Sequence, residues 1–495
     1  MNRFCGLYCY LIVSLILCGN SSSFAQLAGK ASVPEVYREG FDSITTKQAE
    51  NLMSVLAGPN FAGRGTGQPG YIKAAHWVAG KAAEFGLEPM GEGGTYFQMV
   101  PMSALAIDDK RSKLTGPNGL ELVADKNFNV SRFADQIEVS GEVVFVSLAG
   151  ETPTLEENQL RDKIVIYVTD LAAAGRAPMV IARQSPAAAF RLVESINTPS
   201  SQILKSDGKT RSTSVSGLLA RSAAEKIVKA VGGQLAWLDQ VKAGQNKVYR
   251  SNQSLNLQLL IKQATINVPN VVAWLEGSDP RLSHEYVVIG AHLDHLGNQN
   301  DSIFYGADDN GSGSTAVLSI ARALTANPVR PKRSVLFTWF AAEELGLVGS
   351  KHYCENPLRP LDKMVCMLNI DMVGRNEESP TESATLNSNS IHLIGSRKGD
   401  PALHEVIIQA NNFVNLEFEY DEESIFTRSD QASFFEKGTS VAFLFGGFHP
   451  DYHQPTDKPE AINFEKIVAA ARLFYLTIYF AADHGRFIPP APVNQ

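Results

Sequence analysis

Residues 285–295 read Glu285-Tyr286-Val287-Val288-Ile289-Gly290-Ala291-His292-Leu293-Asp294-His295, and the fold of the chain is decided there. The apolar run that opens this stretch has the length and β-branched character of a buried strand. It ends on an imidazole and a carboxylate. After a short loop comes Gly306-Ala307-Asp308-Asp309-Asn310-Gly311-Ser312-Gly313. Residues 314–324 then place Ala316, Val317, Ile320, Ala321 and Leu324 on one helical face. Apolar runs return at 334–340, 364–370 and 440–445, and residues 464–482 form a closing amphipathic helix. Strand, loop and helix in alternation predict an α/β fold, a mainly parallel or mixed sheet sandwiched by helices.

In such sheets ligands bind beyond the carboxyl ends of the strands. Each apolar run here delivers reactive side chains to that edge. His292 and Asp294 follow the first run, Asp309 stands at the mouth of the helix, and Glu343 and Glu344 follow 334–340. Asp371 ends the next run, and Tyr452-His453 follows the last. Taken singly, most have a plainer reading. A lone histidine after a strand is usually a hydrogen-bonded structural residue, Asp-Asp-Asn-Gly is a turn or helix cap, and Glu343-Glu344 reads as a solvated helix start. Asp371 differs, because an ionised carboxylate beside a buried run needs a partner. The plain readings together require five coincidences at one sheet edge.

Imidazole and carboxylate donors without thiolate suit zinc in a catalytic site. A carboxylate can bridge two ions about 3.5–4 Å apart. The expected assignment is His292 and Asp371 on one zinc, Glu344 and His453 on the other, and Asp309 between them, giving two Zn2+ per chain. Glu343 is then the general base toward an activated water. Asp294 is expected to orient an imidazole, and Asp457 to do the same for His453. His295 and His449 receive no role and are read as structural.

Outward from this block the texture changes. Residues 26–45 read as a weakly structured lead-in. A helical pattern surrounds Ala49, Leu52, Val55 and Leu56, and a Gly-rich turn follows at Ala62-Gly63-Arg64-Gly65-Thr66-Gly67. Residues 71–85 form a second helix, with apolar positions at three- and four-residue spacing. Between 104 and 262, short β-branched runs such as 141–146 and 163–168 alternate with small residues, without clustered metal ligands. The expected organisation is a discontinuous catalytic domain over 26–103 and 263–485, an inserted β-rich domain over 104–262, and a tail over 486–495.

The 495 residues are 44% hydrophobic and 19% charged, the composition of a packed globular protein. A net charge of -8 without a basic stripe argues against nucleic acid. Arg3, the apolar run 7–17 and Ser23-Phe24-Ala25 form the pattern of a signal peptide over 1–25, cleaved after Ala25. The chain is therefore expected to be secreted or periplasmic. Lipid attachment at Cys18 is disfavoured by the bulky Leu17 before it. The apolar run falls short of the ~20 residues of a membrane span, and no later stretch reaches that length. Cys354 and Cys366 are read as a disulfide or as two buried thiols.

These stretches resemble the M28 family of co-catalytic zinc peptidases, which includes secreted bacterial aminopeptidases. The resemblance rests on Gly290-Ala291-His292-Leu293-Asp294, the 306–313 loop, Ala342-Glu343-Glu344-Leu345-Gly346, Asn369-Ile370-Asp371-Met372-Val373-Gly374 and Tyr452-His453. It covers nearly all of 267–483 and extends to 47–102. It implies the zinc exopeptidase fold, peptide substrates with a free N-terminus, a Tyr452 that helps polarise the scissile carbonyl, and an Arg428 near the substrate backbone. It also likens 104–262 to a protease-associated (PA) domain. Gln431 stands where relatives often carry histidine, which bears on local pocket shape alone.

The implied function is a secreted two-zinc aminopeptidase. A carboxypeptidase needs a cationic pocket that Arg428 alone does not establish, and a glutaminyl cyclase of similar fold uses one zinc. A non-catalytic, receptor-like relative tends to lose ligands, and none is lost here. No Gly-x-Ser-x-Gly elbow is present, and neither remaining cysteine has an evident histidine partner. Oligomeric state and the preferred N-terminal residue stay open.

Overall fold

The computed structural model describes residues 31–133, 138–196, 203–205, 215–239, 246–299 and 302–487. The expected signal peptide and residues 488–495 lie outside them. The main sheet contains β1 (Phe97–Ile107), β2 (Ile203–Lys205), β3 (Ile261–Leu275), β4 (Tyr286–His292), β5 (Ser334–Phe340), β6 (Met364–Asp371), β7 (Ser390–Ile394), β8 (Glu417–Glu419) and β9 (Val441–Phe445). Their spatial order is β8-β7-β9-β6-β4-β5-β3-β1-β2, and a short tenth strand, Glu88–Pro89, pairs with β3.

The centre of the sheet is parallel: β4 pairs with both β5 and β6, and β6 with β9. Every residue of β4, β5 and β6 is buried, so helices cover both faces and unbroken apolar runs are the pattern required. The flanks are antiparallel through β3 against β5 and β1, and through β7 against β9. The α/β sandwich expected from alternation is thus observed, as a mixed sheet with a parallel centre.

Helices α1 (Glu35–Ser43), α2 (Thr46–Leu56), α3 (Pro69–Glu84), α4 (Gly313–Ala326), α5 (Pro401–Asn411) and α6 (Phe464–Asp483) share one apolar core with the sheet. Their starts are legible in side chains: Thr45 accepts from Gln48 N, Asp400 from Ala402 and Leu403 N, and Asn463 from Lys466 N. The weakly structured lead-in is corrected by α1. This helix buries Gly40 and Phe41, Gly40 N donates to Asn327 Oδ1 (3.1 Å), and Tyr475 donates to Tyr37 O (2.9 Å). A nine-residue helix held by tertiary contacts leaves little periodic signal to read.

A second, eight-stranded sheet is formed by strands between Lys113–Thr115 and Lys247–Gln258. It has its own apolar cluster, including Phe128, Phe145, Phe190, Ile227 and Leu257. The segment between is not self-contained, because β2 leaves it to pair with β1 in the main sheet. Cys354 and Cys366 are free, buried thiols, which decides against the disulfide. Among the described residues no helix is long and apolar enough to cross a membrane.

Candidate metal centre

The carboxyl ends of β4, β5 and β6 and the loop after β9 meet at one edge of the sheet. His292 is the last residue of β4, and its Nδ1 lies 3.1 Å from the main-chain carbonyl of Asp294, which fixes the ring with Nε2 facing the cleft. Asp371 is the last residue of β6. Asp309 sits in the loop that enters α4, where its peptide bond to Asn310 is cis. The Asn310 amide locks that loop to β6: it donates to Ile370 O (2.9 Å) and accepts from Gly313 N (2.8 Å) and Met372 N (3.2 Å). Glu343 and Glu344 lie in the turn after β5, which Ala342 enters at φ 55°.

Side-chain distances divide the site into two halves that share Asp309. Its Oδ1 is 3.4 Å from His292 Nε2, and its Oδ2 is 3.0 Å from His453 Nε2. On the first side, Asp371 Oδ1 lies 3.1 Å from His292 Nε2. On the second, Glu344 Oε2 lies 3.3 Å from His453 Nε2. Within each half, His292–Asp309–Asp371 and His295–Asp309–Glu344–His453, the donor atoms stand within 4.8 Å of one another. Glu343 Oε2 is 4.0 Å from His292 Nε2, on the cleft side.

Electrostatics explain what such a cluster requires. Asp294, Asp309, Asp371 and Asp430 are all buried, which is costly without cations. Burial draws the His292 pKa down, but Asp371 and Glu343 outweigh it and hold the imidazole well above its ordinary range. Burial pushes Glu343 well above the carboxylate range, and Asp371 and Glu344 reinforce it against His292. Burial also raises Asp371 and takes Asp430 up to about 7. For Glu344, bonds to His295 and His453 outweigh burial and hold it below the usual range. The bonds of His453 to Asp309 and Glu344 take its pKa up to about 10 against burial. Clustered carboxylates that share few protons form a cation site, and imidazole plus carboxylate without thiolate fits zinc.

The two residues expected to orient imidazoles make their hydrogen bonds elsewhere. The Asp294 carboxylate is 3.9 Å from His292 Nδ1 and engages other partners: Oδ1 accepts from Glu343 N (3.1 Å) and Oδ2 from the Thr66 hydroxyl (2.7 Å). It therefore positions the Glu343 backbone, and its carbonyl serves the imidazole. Asp457 does not reach His453; it accepts from the N–H groups of Asp308 and Asp309, aiming the 306–313 loop. Glu343-Glu344 stands in a half-buried turn and not at a solvated helix start.

Three contributors escape a reading by motif. His295 Nδ1 lies 2.8 Å from Glu344 Oε1, and its buried Nε2 has no hydrogen-bond partner. Its sequence signal was only adjacency to Asp294. Arg64, wholly buried at φ 51°, bonds four main-chain carbonyls around the site. The tight turn before it relies on Gly63 at φ 73°, where a Cβ would fall 2.0 Å from Phe304 O. Ser429 donates to Asp371 Oδ2 (2.7 Å), and Asn369 ties Ser429 (2.9 Å) to Gln431 (2.8 Å). Gln431 thus shapes the support behind the site.

The cleft above these groups is half open to solvent and offers about 380 Å3 of space. One wall is apolar, built from Met372, Ile425, Phe443, Phe445 and Phe448. Tyr452 stacks on His453 with ring centroids 3.9 Å apart, and Arg428 Nη2 donates to the Tyr452 hydroxyl (3.1 Å). Arg428 also lies over the Phe448 ring, 5.2 Å from its centroid. All the residues singled out in the sequence for metal, base or substrate contact, Asp294 excepted, line this cleft.

Comparison with known proteins gives the same region. The aminopeptidase of Pseudomonas aeruginosa is 36% identical over 187 residues, 36% of this chain and 31% of that protein. Leupeptin-inactivating enzyme 1 of Streptomyces exfoliatus is 33% identical over 181 residues, 36% of each chain. The matches thus span about a third of the length of these curated relatives. The structure of BSAP, a zinc aminopeptidase from Bacillus subtilis, superposes with a TM-score of 0.51 over 88% of this chain and 95% of its own, at 19% identity, which shows a shared fold. Residues 270–478 match the model of Peptidase family M28, and the matched stretch contains β4, β5, β6, β9 and every residue of the double cluster.

Proposed function

We propose that the chain is a two-zinc aminopeptidase. The observation that carries this reading is Asp309, whose two oxygens face two imidazoles at 3.4 and 3.0 Å, each imidazole backed by a further carboxylate. That is the arrangement a bridging ligand takes between two ions. His292 and Asp371 would hold one zinc, and Glu344 and His453 the other. Zinc bound there supplies Lewis-acid activation of water and of the scissile carbonyl.

The remaining steps belong to the protein. Glu343, on the cleft side with Oε2 4.0 Å from His292 Nε2, takes the proton of the attacking water and returns it to the leaving amine. Burial, with Asp309 and Glu344 close by, raises the Tyr452 pKa, so the phenol stays protonated. Because its oxygen already accepts from Arg428, its own hydrogen is free to donate to the developing oxyanion. The four carboxylates lining the cleft favour a free α-amine, while Arg428, the one guanidinium among the lining residues, is engaged with Tyr452. This favours aminopeptidase over carboxypeptidase action. The apolar wall favours an apolar N-terminal side chain. The leader expected over 1–25 supports export, and the second sheet supports reading 104–262 as an inserted PA-like domain.

The test is Glu343→Gln assayed on a panel of aminoacyl and C-terminal peptide substrates, with metal content measured alongside. The expected result is hydrolysis of N-terminal bonds by the parent, a fall of about 10²–10⁴-fold in kcat in the variant, and unchanged zinc. One ion per chain in the parent, or full turnover by the variant, refutes the reading.

A further inference from the structure

A second cluster of metal-binding groups lies behind the apolar wall. His392, in β7, is cross-strand partner to Phe445 of the cleft wall and to Glu419 of β8. Its Nε2 lies 2.9 Å from Glu377 Oε2 and 3.5 Å from Glu419 Oε2, and its Nδ1 lies 3.1 Å from Asp421 Oδ1. The side chains of His392, Glu377 and Glu419 are 2%, 12% and 27% exposed. One ring nitrogen carries at most one hydrogen, so it can satisfy only one of the two carboxylates that converge on it. Around His292 and His453 the same pattern recurs, two carboxylate oxygens at 3.0–3.4 Å from a single Nε2.

The buried Lys466 makes no hydrogen bond to this cluster. Lys466 Nζ donates to the carbonyls of Asn387 (3.3 Å) and Gly446 (3.2 Å), not to either glutamate. Asp421 at Nδ1 completes a carboxylate–histidine pair of the kind that fixes a metal-ligating ring.

We propose that Glu377, His392 and Glu419 bind one further divalent cation of the zinc class, separate from the double cluster. One imidazole and two carboxylates supply three protein donors, and water completes the shell. The ion has a structural role. It ties the segment that follows Asp371 to the β7–β8 edge. Glu378 N in that segment donates to Phe448 O (2.9 Å), so the clamp bears on the cleft wall.

The test uses the full chain and reads the ion directly. Crystals of the wild-type protein grown with zinc at a few equivalents should show a zinc-edge anomalous peak between Glu377, His392 and Glu419. In solution, the double variant Glu377→Gln/Glu419→Gln should lose one equivalent of zinc relative to wild type after dialysis. Because the readout is a difference, it holds whatever number of ions the double cluster binds. The same variant should also lose part of the thermal stabilisation by zinc that wild type shows. An absent anomalous peak overturns the proposal even if the variant fails to fold, and unchanged zinc in a folded variant overturns it independently.

Discussion

Replacing Arg64 with methionine tests whether the metal ligands are held by a buried guanidinium. Arg64 Nε donates to Leu293 O (2.8 Å), Nη1 to Leu56 O (2.8 Å) and Tyr305 O (3.0 Å), and Nη2 to Gly306 O (2.7 Å). Leu293 lies between His292 and Asp294, and Gly306 opens the loop that carries Asp309. Methionine matches much of the volume but donates nothing, so four carbonyls each lose a donor, and among the described residues only Gly306 O keeps another, from Gly311 N (3.1 Å); each loss costs about 1–3 kcal/mol. The low end applies, because burying the guanidinium has its own cost: burial draws its pKa down to about 10. A loss of about 4 kcal/mol is expected, a large fraction of a typical total of about 5–15 kcal/mol. In a chain this size that corresponds to a fall of roughly 4 °C in Tm. Zinc affinity should fall with it, by about 10–100-fold, as when an outer support of a metal site is removed. Thermal unfolding followed by near-UV circular dichroism, with a metal-buffer titration, reads both. A variant within about 2 °C of wild type with unchanged zinc affinity would falsify the clamp.

Other expectations are shorter. His295→Ala removes the 2.8 Å contact to Glu344, and zinc affinity at the Glu344–His453 half should drop about 10–100-fold, measured in a metal-buffer titration; wild-type affinity sinks the role. Tyr452→Phe deletes the proposed oxyanion donor, and kcat should fall about 100-fold with metal content intact; a change confined to KM argues for binding alone. Asp109, whose pKa burial and neighbouring Asp125 push up to about 6, favours the folded state when protonated. That contribution is complete below the unfolded value of about 4 and is lost as pH rises through about 6. Asp109→Asn should therefore melt higher than wild type at pH 8, with the gap closing near pH 4; a gap that widens on acidification refutes the sign.

The strands of the parallel centre were legible because burial on both faces leaves unbroken apolar runs, and β5 occupies the run 334–340 itself. The side chains that gather at the cleft were legible for the related reason that each such strand ends where the sheet ends. What escaped reading depended on contacts distant in sequence. Helix α1 is set by Asn327 and Tyr475, hundreds of residues away. Asp294 was read as a partner of His292 from a spacing of two, but the strand ends at His292, and Thr66 and Glu343 N hold the Asp294 carboxylate while its carbonyl meets the ring. Arg64 sits in a glycine-rich turn that reads as surface, because nothing local marks a guanidinium as wholly buried.

The placement of Arg64 also bears on why a site this acidic folds. Gathering Asp294, Asp309, Glu343, Glu344, Asp371 and Asp430 before any cation binds works against burial, and lone carboxylates in such a place would take protons or swing out. The backbone must therefore be held by groups that do not compete for the metal. Arg64 meets that condition: it bonds carbonyls, not carboxylates, yet its charge lies near Asp457, Asp309 and Asp294. Asn310 and the hydroxyls of Thr66 and Ser429 meet it as neutral groups. A lysine at position 64 would keep the charge but could not span four carbonyls. Arg64→Lys should therefore retain the electrostatic help yet lose most of the rigidity, with a drop in metal affinity close to that of the methionine variant. Equal affinity for Arg64→Lys and wild type would show that charge, and not the four-point clamp, is what the site needs.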